Sequence, residues 1–175
     1  VILIGEVRTR ESMEHAITFA ETGHLCLTTL HANNANQAMD RMLHFFPEER
    51  HGQVLLDLSL NLKAIIAQQL VPSVDGGRRH VALEVLRSTP LVQEKIRKAK
   101  IDEIKQLMKD SVHHGMITFD QSLLRLYQDG LISYEDAVRH ADSANEVRLA
   151  VKLSEGGDAE SLSSRLRDVD LLDSD

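Results

Sequence analysis

Tryptophan is absent from this chain and cysteine occurs once, at Cys26, so an internal disulfide framework is excluded. A single cysteine suits a reducing compartment. Two tyrosines and four phenylalanines leave the core to Leu, Ile, Val, Ala and Met. No apolar run approaches the ~18–20 residues that a membrane-spanning helix needs. Positive charge is also scarce, with a net charge of −7. Residues 154–175 hold a balance of −5 and the first 153 residues −2, so the folded part lacks the basic field that nucleic-acid binding requires. There is no Ser/His/Asp arrangement. There is no GxxxxGK[ST] phosphate loop either, since Gly76 and Gly77 stand in a different context. No signal peptide is visible, and a chain that starts at Val1, inside an apolar strand, reads as the back half of a catalytic domain.

What is present is an alternation of strand and helix. Val1–Ile4 is a run of branched apolar residues, as expected of a strand buried on both faces of a parallel sheet. A helix is expected over Arg10–Glu21, with Met13, Ile17 and Ala20 on one stripe and Gly23 as its stop. His24–Leu30 reads as a second buried strand. Asn33–Phe46 reads as a helix closed by Pro47, and the period stays helical from Glu48 to about Gln69. Gln69–Val74 and His80–Arg87 flank Asp75-Gly76-Gly77 and predict a hairpin. Beyond Pro90 the pattern is helical throughout: Leu91–Ala99, Ile101–Val112, a capping box Thr118-Phe-Asp-Gln121 with a stop at Gly130, and a second cap at Ser133. The expected organisation is an α/β unit over 1–88 (parallel strands, crossover helices and a hairpin), an all-helical region over 89–153 and an acidic tail over 154–175.

The chemistry concentrates at the strand ends. In open α/β sheets ligands sit outside the carboxyl ends of the strands. Glu6 lies there behind Gly5, which permits close approach. A carboxylate at that point can orient a water or support the shell of a Mg²⁺ ion around a nucleotide. It can equally cap the next helix or pair with Arg8 or Arg10. His24 and His31 are seven residues apart, so a regular strand points them to opposite sides, which argues against one shared metal ion. No HExxH or CxxC pattern supports a zinc site. His31 leaves the strand beside Thr28 and Thr29, where it can donate to a phosphate oxygen, whereas His24 at the strand's start reads as structural. Cys26 reads as an inert core residue and His113-His114 as a helix end. Lys95, Arg97, Lys98, Lys100 and Lys105 form a basic patch that is either a solvated face or a docking face for an acidic partner.

VILIGEVR, followed by AETGHLCLTTLHANNA, resembles the motor ATPases of type IV pili and type II secretion. The resemblance continues through LSLNLKAIIAQQLVP, HVALEVL, STPLVQEKIRKAKIDEI and GMITFDQSLLRLYQDGLISYEDAVRHA, about residues 1–148. It implies a RecA-like P-loop ATPase core followed by a helical region, working as a homohexameric ring in the cytoplasm with ATP and Mg²⁺. VILIGE then corresponds to the Walker B strand, with Glu6 serving the attacking water and, indirectly, Mg²⁺. GHLCLTTLH corresponds to the histidine box, with His31 the better γ-phosphate sensor and His24 its companion. Gly5, Arg8 and Thr29 fall on the nucleotide side. Thr9 departs from the family's usual Asp at that position.

The missing four-cysteine zinc insertion argues for the retraction motors, the PilT/PilU family and its PilU-like side, over the assembly and secretion motors. Lys95, Ile96 and Arg97 fall in a segment that loosely resembles the retraction family's coupling motif. The partners so implied are copies of the chain itself, another pilus retraction ATPase and an inner-membrane platform protein, with the motor peripheral to that membrane. The alternatives are a non-hydrolysing module docking onto a partner ATPase, or a secretion or assembly ATPase.

Overall fold

Two short strands, β1 (Ile2–Ile4) and β2 (Cys26–Thr28), pair in parallel with Ile2 opposite Cys26 and Ile4 opposite Thr28 in the computed structural model, which describes residues 1–154. The ladder extends at both ends, from Ile2 N to Leu25 O at 2.8 Å and from Val7 N to Thr29 O at 3.0 Å. Between the strands runs α1 (Arg10–Glu21), capped by Thr9, whose side chain accepts from Ser12 N. Threonine and aspartate are both N-cap residues, so Thr9 does locally what an Asp at that position would do.

The end of α1 is a Schellman turn. Gly23 takes φ 86° and donates to Ala20 O, and His24 donates to Phe19 O. α2 (Ala35–His44), capped by Asn34, and α3 (Glu48–Asn61) follow. The helix expected to continue to Gln69 ends at Asn61, and residues 64–69 are strand instead. β3 (Ala64–Pro72) pairs with β4 (Arg79–Arg87) in a hairpin. The reason is pairing: the backbone of this segment bonds to a partner strand, with Ser88 N donating to Lys63 O at 2.9 Å, and such pairing overrides local period. The remaining elements are α4 (Pro90–Arg97), α5 (Ile104–Asp110), α6 (Phe119–Gln128), α7 (Tyr134–His140) and a last helical run at 144–154. Ser133 caps α7 by accepting from Asp136 N, as expected.

The described contacts gather into two compact units. One comprises residues 1–69 and 81–119, the other residues 70–80 and those from 120 onward. The first holds a continuous core of Val7, Met13, Met39, Val54, Leu86, Val92, Ile96, Ile104 and Met108, with Ile4 and Leu30 packed against it. Aliphatic and thioether side chains fill most of it, with Phe46 the one aromatic residue among its buried members. In the second unit Val71, Leu123, Ile132 and Ala137 are buried, and Asp120 accepts from Asp142 N and Ser143 N ahead of the last helical run.

The expectation that Val1–Ile4 is buried on both faces is corrected. Leu3 is 76% exposed and Leu27 49%, because only one face of the two-stranded sheet is covered by the described residues. Apart from Ser154, the acidic tail expected at 154–175 lies outside them. Among them no helix is long and apolar enough to cross a membrane.

Candidate functional site

The parallel pairing of β1 and β2 brings Glu6 and His31 together at the carboxyl ends of the strands. His31 Nε2 stands 2.7 Å from Glu6 Oε1, and Arg8 Nε donates to Glu6 Oε2 at 2.6 Å. Thr29 Oγ1 donates to Gly5 O across the two strands, which fixes the spacing of the exits. Gly5, Glu6, Arg8, Thr29 and His31 therefore form one cluster. The imidazole and the guanidinium are both 74% exposed, whereas the Glu6 side chain is 20% exposed.

Glu6 carries the chemical signal. Its Oε1 is buried, with an ion-pair contact to His31 Nε2 at 2.7 Å and no hydrogen bond from the described residues. A buried carboxylate oxygen with unused acceptor capacity is costly and marks a place for a donor. It fits a water molecule, or one of the waters around a hard cation such as Mg²⁺. Nothing lies within 4 Å of a Cβ built on Gly5, so the space beside the cluster is open to a ligand. On the α2 side of His31 an open groove of about 370 Å³ is lined by Gln37, Asp40, Arg41 and His44.

His24 does not join this cluster. It precedes Cys26, at the opposite end of β2 from His31. Its ring meets Phe19 edge-on at 6.5 Å, and its Nδ1 lies 3.2 Å from Thr22 Oγ1. That is the side-chain contact that usually completes a Schellman turn, so His24 has a full structural role. Arg10 is also elsewhere: with Arg50 it binds Glu14, and the Arg10 hydrogen bond is the first cause of that carboxyl's lowered pKa. Among the described residues no group of three or more His, Cys, Asp or Glu could hold a metal ion directly.

The expected basic patch is a mixed-charge network. Lys95 and Lys100 both bind Glu103, and Lys98 binds Glu94. The Lys100 hydrogen bond, then that of Lys95, holds Glu103 at about 2, from the usual 4.5. Ile96 is fully buried in the core, so of the three residues expected to couple to a partner only Lys95 and Arg97 reach the surface. The residue that sequence reasoning passed over is Glu84, buried in β4 and bonded to the first N–H of α2. Its signal was available: strand alternation puts position 84 on the face of Ala82 and Leu86, where a carboxylate is out of place.

Comparisons with known proteins bear on the same features. Residues 1–144 match the family described as Type II/IV secretion system protein. The type IV pilus ATPase PilU of Pseudomonas aeruginosa is 61% identical over 98% of the chain and 45% of its own length. The PilT retraction ATPase of the same organism is 38% identical over 78% of the chain and 40% of its length. The crystal structure of the pilus retraction motor PilT with bound ADP superposes with a TM-score of 0.75 at 37% identity, covering 83% of the chain and 40% of that structure. The chain thus spans less than half the length of these curated relatives.

Proposed function

Because the chain belongs to the Type II/IV secretion system family, within its PilT/PilU group of type IV pilus ATPases and with a partial RecA-like core, we propose that it is the C-terminal part of an ATP-hydrolysing motor for pilus retraction. Its contribution to catalysis is the Glu6–His31 cluster. The observation that carries this reading is the buried, unsatisfied Oε1 of Glu6 at the carboxyl end of a parallel strand, beside an exposed imidazole.

In the proposed mechanism Glu6 accepts a hydrogen bond from the attacking water and holds it in line with the γ-phosphorus. Glu6 would hold a Mg²⁺ ion only indirectly, and such an ion would supply charge neutralisation on the phosphates. His31 donates to a γ-phosphate oxygen, and Arg8 keeps the Glu6 carboxylate oriented through Oε2. Thr29 and Gly5 set the width of the exit. Phosphoryl transfer is mostly positioning and charge stabilisation, and these 175 residues contain neither a phosphate-loop lysine nor its Ser/Thr. On this reading they do not turn ATP over alone. The motor works as a homohexamer on the cytoplasmic side of the inner membrane, with another retraction ATPase and a platform protein as partners, and Lys95 and Arg97 face them.

The test is complementation. The complete protein carrying Glu6→Gln, expressed in a strain lacking it, should fail to support pilus retraction although pili are still assembled. Retraction at the wild-type level would overturn the reading.

A further inference from the structure

Glu84 is a buried charged residue that the Glu6–His31 cluster does not use. It lies in β4 between Ala82 and Leu86, both fully buried, and is itself 2% exposed. Its Oε1 accepts from Ala35 N at 2.7 Å and its Oε2 accepts from Phe119 N at 3.4 Å. Ala35 and Phe119 are the first residues of α2 and α6. First-turn N–H groups have no partner within their own helix, so a carboxylate there meets both an unmet donor and the positive end of the helix dipole. The backbone reinforces the second attachment, with Val85 N donating to Ile117 O at 2.8 Å and Ile117 N to Val85 O at 3.1 Å.

The first attachment is four residues from His31. The His31 imidazole is mostly in solvent, so its position depends on the backbone that carries it rather than on packing. That backbone is a short loop anchored on both sides, with Ala32 N donating to Leu30 O and Asn33 N to Gln37 Oε1 within it. On the strand side, Val7 N donates to Thr29 O and Thr29 Oγ1 donates to Gly5 O. On the helix side, Asn34 caps α2 and Ala35 N is held by Glu84. The strand-side anchor fixes β2 against β1. The Glu84 anchor fixes where α2 begins relative to β4, and with it the last step of the loop.

We propose that Glu84 is a positioning residue for His31: its carboxylate sets the start of α2 so that the imidazole stays within reach of Glu6, and by sharing the Phe119 N–H it ties that position to the start of α6. This rests on the proposed role of Glu6 and His31. A carboxylate is suited to the task because both oxygens accept; Glu84→Gln presents one N–H group toward a backbone N–H and must lose an attachment.

The experiment is a double-mutant cycle on ATP turnover by the complete motor, using Glu84→Gln, His31→Ala and the double variant. The expected result is that Glu84→Gln lowers kcat about tenfold, leaves the KM for ATP within about twofold, and adds no further loss in the His31→Ala background. A merely structural Glu84 makes the two losses multiply; that result, or a Glu84→Gln kcat within twofold of wild type, overturns the proposal. Hydrogen exchange of the Ala35 amide in the unmodified protein gives a reading that no folding defect can mask. It should be slow, and exchange at the rate of an exposed loop also overturns the proposal. Glu6→Gln, measured alongside, separates the failures. If it abolishes turnover while the other losses multiply, Glu84 alone is misassigned; if it leaves turnover intact, the catalytic reading falls and this one with it.

Discussion

One carboxylate oxygen carries the functional reading. Most buried polar atoms in a folded protein accept or donate a hydrogen bond, and among the described residues Glu6 Oε1 has only the ion-pair contact with His31. Its second oxygen accepts from Arg8, which orients the group as a water-positioning carboxylate requires. His31 differs in being exposed, with its Nε2 2.7 Å from Glu6 Oε1. On the proposed mechanism it contributes one hydrogen bond to charge on the phosphate, an interaction of about 1.5–3 kcal/mol. His31→Ala in the complete motor is therefore expected to slow ATP turnover about tenfold or somewhat more, less severely than loss of Glu6. Steady-state ATPase measurement checks this, and unchanged kcat would remove His31 from the mechanism. At this scale the sequence was legible where chemistry is local. Gly5-Glu6 at a strand exit and His31 at the next one are visible in the letters. The burial of Oε1 is not visible, because it depends on how residues distant in sequence pack around it.

Among elements, α4 shows how a charge pattern misleads when read without its neighbours. Five basic residues between 95 and 105 suggest a positive face, yet the turn that follows α4 returns Glu103 to Lys95 and Lys100. Glu103 is held at about 2 rather than 4.5. A carboxyl whose pKa is lowered on folding stabilises the folded state above its unfolded pKa, and this contribution is lost as pH falls toward the folded one. The window here is about 4.5 down to 2. Acid unfolding of the wild type should steepen across that window relative to Glu103→Gln, and 1 M salt should narrow the difference because the group is exposed. Parallel curves would show that the bridge contributes nothing. The helices were legible from their caps and stripes, since Ser133 and Gly23 act through local backbone groups. β3 was not, because Ala64–Gln69 suits a helix as well as a strand and only its partner β4 decides. Glu84 was missed for a related reason: its meaning depends on α2 and α6, which start 49 residues before it and 35 after.

For the whole molecule, the described residues supply part of a RecA-like core and, on the proposed reading, part of its chemistry. The first unit has a continuous core without aromatic stacking, and its near-neutral charge fits a partner in an assembly of proteins better than a nucleic-acid binder. The parallel sheet leaves Leu3 and Leu27 uncovered, and the chain spans less than half of its curated relatives, so the proposed motor places the phosphate cradle on sequence outside these residues. What the chain itself supplies is the carboxylate and the imidazole at the strand exits. The central claim is that Glu6 activates water for ATP hydrolysis, and it is tested most directly by ATP turnover in the complete protein carrying Glu6→Gln. General-base positioning contributes about 10²–10⁴-fold, so the account predicts a fall of at least about a hundredfold with ATP binding preserved. Turnover within a few-fold of the wild type would contradict it.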